Sequence, residues 1–217
     1  MPCPSLAHRR EHAAAKVGQI LNSATNQLAK SNNLSSASYQ EFTPFGLKAT
    51  PDVMGSPQVQ AMMAEIKAAN PSMSTNEIVK YAKEFVESGT AIPKIEAARP
   101  GSVLIKIVPR GDGVTPYSPY WMTQEQARAI GTMTPEQASQ VLGLPAAQAA
   151  KIFNGGADFF AITPKVGTTP KVFVSNIAPT TQGRYVTVPN AQQVIVPNRA
   201  LWNPPEPVNP LTLRNGN

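Results

Sequence analysis

Cysteine and histidine are nearly absent from this sequence, and their scarcity excludes several kinds of chemistry. Cys3 is the single cysteine, so neither an intrachain disulfide nor a multi-cysteine zinc or iron–sulfur site is expected. The two histidines, His8 and His12, lie near the start without a third ligand close by, and we expect no metal site there. From residue 13 onward there is no imidazole or thiol for catalysis. An enzyme in the main body therefore relies on amine, guanidinium, phenol, hydroxyl, amide and carboxylate groups.

Long apolar runs are also missing. No segment reaches the roughly 18 consecutive apolar residues that spanning a bilayer requires. The first twelve residues lack the apolar stretch and small-residue site of a signal peptide. We therefore expect no stable membrane insertion of this fragment.

Charge is sparse and biased towards the positive sign. Charged residues make up 15% of the chain, and the formal net charge is +6. Residues 101–217 carry 9 basic and 5 acidic side chains, a net of +4, whereas residues 1–100 carry 10 and 8, a net of +2. Such a bias favours a polyanion such as RNA, a phosphate-bearing cofactor or an acidic protein as the partner.

The first 95 residues predict a small helical module. Apolar spacing indicates a helix over residues 13–30. Ser56 followed by Pro57 predicts a second helix that ends at Asn70, because proline fits the first turn. Ser74 with Glu77 three residues later predicts a third, opened by a capping box.

Proline and glycine between residues 89 and 101 predict a boundary, followed by a compact α+β domain over residues 100–217. Residues 102–108 predict a strand that carries Lys106, and three short helices follow, beginning near residues 123, 134 and 145. Further strands are expected at 159–163, 171–175, 184–188 and 193–196, and a proline-rich strap after residue 203. The predicted fold class is therefore α+β, with a helical N-terminal module and an antiparallel sheet.

Polar residues that suit a functional site gather in four places in this second domain. They are Lys106 with Arg110; the aromatic loop of Tyr117, Tyr120 and Trp121; the hydroxyl pair Thr180 and Thr181 before Arg184 and Tyr185; and Gln192 and Gln193 at the head of an apolar strand. The aromatic loop suits base stacking or a hydrophobic plug under the loop. The hydroxyls beside a guanidinium suit a phosphate or ribose, or an ordinary turn.

A helical module followed by a strand–loop–helix–strand domain with these residues resembles the C-terminal toxin region of CdiA-type contact-dependent growth inhibition proteins, a group of polymorphic toxins. The resemblance implies that residues 1–95 form a translocation module for delivery into a neighbouring cell. It implies that the second domain acts in the target-cell cytoplasm until a cognate immunity protein binds it. It further implies a secreted or cell-surface exoprotein as the source and an import receptor on the target cell.

Two toxin chemistries fit the second domain. The first resembles the ribonuclease fold of barnase-like and RelE-like toxins and implies cleavage of tRNA without histidine and without a cofactor, a 2′-hydroxyl being activated by a lysine or a tyrosinate. On this resemblance the catalytic set is Lys106, Arg110, Thr180, Thr181, Arg184 and Gln193, and the RNA-binding set is Tyr117, Tyr120, Lys171, Tyr185 and Arg199.

The second chemistry is similar to that of ADP-ribosyltransferase and NAD-hydrolysing toxins. Lys106 or Arg110, the Thr180–Thr181 pair and Gln193 would then occupy the positions of the basic, hydroxyl and amide residues. No Glu-x-Glu occurs near residue 193, which favours NAD hydrolysis over protein ADP-ribosylation. A non-enzymatic interaction module is the third alternative. The basic bias favours the tRNA nuclease as the leading hypothesis.

Overall fold

The computed structural model describes residues 43–44, 46–115, 117–182 and 185–212, with side chains omitted at 43, 44, 182, 185 and 210. The predicted helix over residues 13–30, the two histidines, Cys3 and Arg184 lie outside the described residues. All described residues belong to one compact unit, Glu41–Asn217. They combine helices with antiparallel sheets, which confirms the predicted α+β class.

The described helices begin where local capping chemistry permits. They are α1 (Pro51–Met54), α2 (Pro57–Ala69), α3 (Thr75–Glu87), α4 (Gln124–Gly131), α5 (Pro135–Val141) and α6 (Ala146–Gly155). The Ser56 hydroxyl accepts from the N–H of Val59 at the start of α2. Complete capping boxes open α3 at Ser74, α4 at Thr123 and α5 at Thr134, so unpaired N–H groups of each first turn are satisfied.

Ten strands form two antiparallel sheets in the described residues. They are β1 (Thr43–Pro44), β2 (Lys94–Ala97), β3 (Leu104–Pro109), β4 (Tyr120–Thr123), β5 (Ala157–Ile162), β6 (Lys171–Asn176), β7 (Thr180–Gln182), β8 (Tyr185–Thr187), β9 (Gln192–Ile195) and β10 (Glu206–Val208). The larger sheet has the order β10-β5-β3-β4-β9-β6-β2, and the smaller has the order β1-β7-β8. Strands β3 and β4 therefore occupy the middle of the larger sheet.

One face of the larger sheet is covered by α-helices. Helices α2 and α3 bury Val59, Met62 and Phe85 against Phe173 and Ile195 of the sheet. Helices α4, α5 and α6 pack in the same way on Ile105, Ile107 and Met122 of β3 and β4. We call this the helical face.

The packing on the helical face can be compared with the domain boundary predicted between residues 95 and 100. The division falls inside the single compact unit, and α2 and α3 on its N-terminal side share a core with β6 and β9 on its C-terminal side. Strand β2 also crosses it, because Lys94–Ala97 pairs along β6. The structure thus shows no domain boundary between residues 95 and 100.

The opposite face of the larger sheet is packed differently. Its buried residues include Leu104, Trp121, Ile162, Val194 and Trp202, and no α-helical residue belongs to this cluster in the described part of the chain. Because successive strand residues point to opposite faces, Lys106, two positions after Leu104, belongs to this face. We call it the strap face, after the C-terminal segment 199–203 that lies on it.

Backbone hydrogen bonds hold the strap in place. The N–H of Lys165 donates to the carbonyl of Leu201 at 2.9 Å, and the N–H of Asn203 donates to that of Thr163 at 2.9 Å. Pro164 and Trp202 form an isolated β-bridge between these two contacts. The strap predicted after residue 203 therefore begins earlier, at a short 3₁₀ turn, Arg199–Leu201, and its last part forms the edge strand β10.

Candidate functional site

Lys106 lies where the two central strands separate. The pairing between β3 and β4 consists of Leu104 with Thr123 and Ile105 with Met122, whereas β3 continues to Pro109 with β5 as its partner. Lys106 is the first residue of β3 beyond this pairing. Its Nζ donates to the carbonyl oxygen of Tyr120 at 3.0 Å. The amine thus takes a strand carbonyl that the ladder leaves without a backbone donor.

A second cation lies beside the same strand. The Arg199 guanidinium is 5.0 Å from the centre of the Trp121 ring, and Lys106 Nζ is 6.0 Å from it. Arg199 is 8% exposed and donates through Nη2 to the carbonyl of Asn203 at 3.4 Å. The indole N–H of Trp121 donates to the carbonyl of Ser118 at 2.7 Å, which fixes the ring. We call Lys106, Trp121 and Arg199 the lysine centre.

Burial changes the protonation behaviour of both cations. It lowers the pKa of Lys106 to about 8 and the pKa of Arg199 to about 10. No carboxylate oxygen of the described residues lies within 4 Å of Lys106 Nζ. At pH 7 about a tenth of Lys106 is therefore the neutral amine, while Arg199 stays charged. Such a lysine can accept a proton near neutral pH, as general base catalysis requires.

Arg110 lies at a different position. It follows the end of β3, and its side chain is 66% exposed, with Nε 3.8 Å from Oδ1 of Asp158. The guanidinium lies over Gly156, where a Cβ would be 2.9 Å from Cζ. A second ion pair, Lys151 with Asp112 at 3.2 Å, adjoins it in sequence. Arg110 thus lies at the surface among two ion pairs of zero net charge. It is not part of the lysine centre.

The hydroxyl pair belongs to the smaller sheet. Thr180 is 5% exposed, and its hydroxyl lies 2.7 Å from that of Thr187 on β8. The Thr187 hydroxyl also accepts from the N–H of Thr180 at 3.2 Å. Thr181 is half-buried and pairs with Val186 in the same sheet. The Thr180 hydroxyl is therefore committed to an internal contact in place of a ligand.

Gln193 lies on the helical face. It is 5% exposed, and its Nε2 donates to the Ser88 hydroxyl at 2.8 Å and to the Ser175 hydroxyl at 3.1 Å. Because Trp121 pairs with Val194 on the strap face, the side chain of the adjacent Gln193 points the other way. Lys106 and Gln193 are thus separated by the sheet.

The residues predicted to bind RNA are dispersed. The Tyr120 ring packs edge-on against Phe85 on the helical face, with 5.8 Å between centroids. The amine of Lys171 pairs with Glu65 of α2 at 3.5 Å. Tyr117 is 60% exposed in the loop before β4, and Tyr185 lies in β8 with its side chain outside the description. Arg199 belongs to the lysine centre through its side chain, and Tyr120 contacts that centre through its carbonyl oxygen.

Trp121 is the functional residue that sequence reasoning undervalued. The sequence assigns it to a loop of turn formers, and the structure places it in β4 between two cations. The signal that could have found it is the short run of strand-favouring aromatic residues, Tyr120 and Trp121, shortly before a capping box at Thr123.

Comparisons with family models, curated proteins and solved structures return no match to this chain. In the part of the chain that the structure describes, no helix is both long and apolar enough to cross a membrane. The same residues contain no cluster of three or more potential metal-ligating side chains.

Proposed function

We propose that this chain is a contact-dependent inhibition toxin whose lysine centre cleaves RNA, with tRNA in the target-cell cytoplasm as the substrate. The observation that carries the proposal is the half-buried Lys106 amine, which the Tyr120 carbonyl holds at 3.0 Å and which lies near the same indole as Arg199. The net charge of +4 in residues 101–217 supports a polyanionic substrate.

The chemistry follows from these groups. Neutral Lys106 accepts the proton of a ribose 2′-hydroxyl, and the 2′-oxygen attacks the adjacent phosphorus. The bond from phosphorus to the 5′-oxygen breaks, and that oxygen takes a proton from water, after which protonated Lys106 releases its own proton to the solvent. The products are a 2′,3′-cyclic phosphate and a 5′-hydroxyl end. The Arg199 charge stabilises the negative charge that develops on the phosphoryl oxygens.

RNA is a better-supported substrate than NAD. The NAD-consuming alternative assigned Thr180, Thr181 and Gln193 to the site of Lys106. The Thr180 hydroxyl is engaged by Thr187, and the Gln193 amide by Ser88 and Ser175 on the other face of the sheet. Thr180 and Gln193 also belonged to the predicted ribonuclease set, so these contacts remove them from both chemistries. Lys106 and Arg199 remain, and a base with a nearby cation is what RNA cleavage requires, whereas the NAD alternative loses its hydroxyl and amide residues.

The remaining parts of the proposal concern partners. A cognate immunity protein would neutralise the domain, and an acidic surface on it would complement the basic excess of residues 101–217. Delivery from a larger exoprotein through an import receptor completes the proposed cycle.

The experiment incubates the purified chain with total tRNA and NAD in one reaction. We expect tRNA fragments with 2′,3′-cyclic phosphate ends on a denaturing gel, and unchanged NAD. Lys106→Gln should abolish cleavage, and the matched control Lys83→Gln, which changes an exposed lysine of α3, should retain it. Intact tRNA with consumed NAD would overturn the nuclease proposal in favour of NAD hydrolysis. Intact substrates and normal growth of bacteria expressing the chain would indicate an interaction module.

A further inference from the structure

Tyr120 contacts both faces of the sheet. Its carbonyl oxygen accepts from Lys106 Nζ at 3.0 Å, and its ring lies on the helical face against Phe85. Strand pairing fixes the backbone between these two contacts, because Tyr120 pairs with Ile195 of β9. The strand pairing and the packing of the ring therefore act together on the residue whose carbonyl holds the amine.

A buried polar network surrounds the Tyr120 hydroxyl. Ser88 at the end of α3 is hydrogen-bonded to it and donates to the carbonyl of Phe85 at 2.7 Å. The Gln193 amide donates to both Ser88 and Ser175, which joins α3 to β9 and β6. We call Tyr120, Ser88, Gln193 and Ser175 the tyrosine network.

The packing around the tyrosine network is close. A Cβ on Gly89, the residue after Ser88, would lie 2.5 Å from the Ser175 hydroxyl. The N–H of Thr90 donates to the carbonyl of Asn176 at 3.0 Å, so α3 is followed at once by a link to the end of β6. The network therefore has little freedom to shift as a whole, which suits a positioning role.

We propose that Tyr120 is a positioning residue, held by the tyrosine network, that sets the place of the Lys106 amine at the separation of β3 and β4. A role for Tyr120 in catalysis rests on the proposed function. The placement of the Lys106 amine can be measured without RNA. The proposal also gives Gln193 a role that involves no contact with substrate.

Charged groups lie near both ends of Tyr120. On the strap face the second charge is Arg199, which lies beside the same Trp121 ring. On the helical face Glu84 acts on the Tyr120 hydroxyl, and burial raises the pKa of Glu84. Every variant compared retains Glu84, so its effect is common to all of them.

The test measures the rate at which an amine-reactive acylating reagent labels Lys106 from pH 7 to 10, read by mass spectrometry of the Lys106 peptide. In Tyr120→Phe and Gln193→Met we expect the midpoint of labelling to rise by about one pH unit. An amine that is no longer held reaches water, and burial is the cause of its lowered pKa. At pH 7 the labelling rate should fall about tenfold.

Ile78→Val is the matched control, since it loosens the same helical core without touching the tyrosine network. Ser175→Ala removes one acceptor of Gln193 and serves as the mildest variant if the other two do not fold. An unchanged midpoint in folded Ser175→Ala, Gln193→Met and Tyr120→Phe would overturn the proposal. A raised midpoint in a chain whose wild type leaves RNA intact would overturn the nuclease function and leave the positioning role standing.

Discussion

The guanidinium of Arg199 and the indole of Trp121 lie 5.0 Å apart, centre to centre, in the interior of the strap face. A desolvated contact of this kind contributes up to about 2 kcal/mol of stability. Burial of the charge opposes that gain, as the lowered pKa of Arg199 indicates. The Arg199 charge should thus contribute more to the rate of the proposed cleavage than to the free energy of unfolding.

We therefore expect Arg199→Met to reduce the kcat of RNA cleavage by about a hundredfold, because a charge that stabilises the transition state is lost while most of the side-chain volume remains. The free energy of unfolding should change by less than about 2 kcal/mol. Cleavage assays and urea unfolding measure the two quantities. A folded Arg199→Met with wild-type kcat would remove Arg199 from the centre.

Lys106 should make the stability of the chain depend on pH. The pKa of Lys106 is about 8 in the folded chain and 10.5 in the unfolded chain. The folded chain therefore binds fewer protons than the unfolded chain between these two pH values. Stability therefore rises with pH across that window, by at most about 3 kcal/mol. The difference in unfolding free energy between wild type and Lys106→Met, measured at pH 7 and pH 10, isolates this contribution from that of the tyrosines.

In the same experiment Lys106→Met should be the more stable protein at pH 7, where the wild type bears the desolvation cost of a half-buried charge. Lys83→Met on the surface of α3 is the matched control for the removal of an exposed lysine. If Lys106→Met and wild type keep the same difference at both pH values, the amine titrates as an ordinary exposed lysine.

The two threonines of the smaller sheet should differ in their contribution to stability. The Thr187 hydroxyl accepts from the N–H of Thr180 and also shares a hydrogen bond with the Thr180 hydroxyl, whereas the Thr180 hydroxyl takes part only in the second of these contacts. Thr187→Val removes both contacts and should cost about 2 kcal/mol, against about 1 kcal/mol for Thr180→Val, which removes one. Urea unfolding ranks the two variants.

RNA cleavage provides the second readout for Thr180→Val, which should retain wild-type kcat because its hydroxyl lies in the smaller sheet. Loss of cleavage in the folded variant would return Thr180 to the catalytic set.

A side chain at Gly156 should be destabilising, and part of that cost should come from Arg110. The φ of +82° at Gly156 disfavours any L-residue, and a Cβ would meet the Arg110 guanidinium at 2.9 Å. Gly156→Ala should cost about 1–2 kcal/mol in the wild type. The cost should be lower in an Arg110→Ala background, because the guanidinium that the new Cβ would meet is gone. The exposed ion pair of Arg110 with Asp158 is itself worth under about 1 kcal/mol, so its loss adds little. A double-mutant cycle by urea unfolding measures the coupling, and strict additivity would contradict this packing.

Local chemistry allowed much of the fold to be predicted. The start of α2 at Ser56 and the capping boxes of α3, α4 and α5 depend on residues three positions apart, and these starts are confirmed. Strand β3 was predicted to within two residues at its start and one at its end, because a run of β-branched residues around Lys106 is a strong signal.

The lysine centre required information that the sequence does not carry locally. Trp121 reaches Lys106 through the pairing of β3 with β4 across a ten-residue loop, and loop residues do not determine that register. Gln193 was predicted in a strand, and the structure confirms the strand. The face of the sheet on which the Gln193 side chain lies depends on the pairing of Val194 with Trp121. That pairing joins segments that are far apart in the sequence.

The strap that carries Arg199 and Trp202 follows every strand of the larger sheet except the edge strand β10. The surroundings of Trp121 are thus completed by a segment far from it in the sequence. A chain whose strap did not dock would keep Lys106 and Trp121 in their strands without Arg199 beside them, so the proposed activity would depend on that docking.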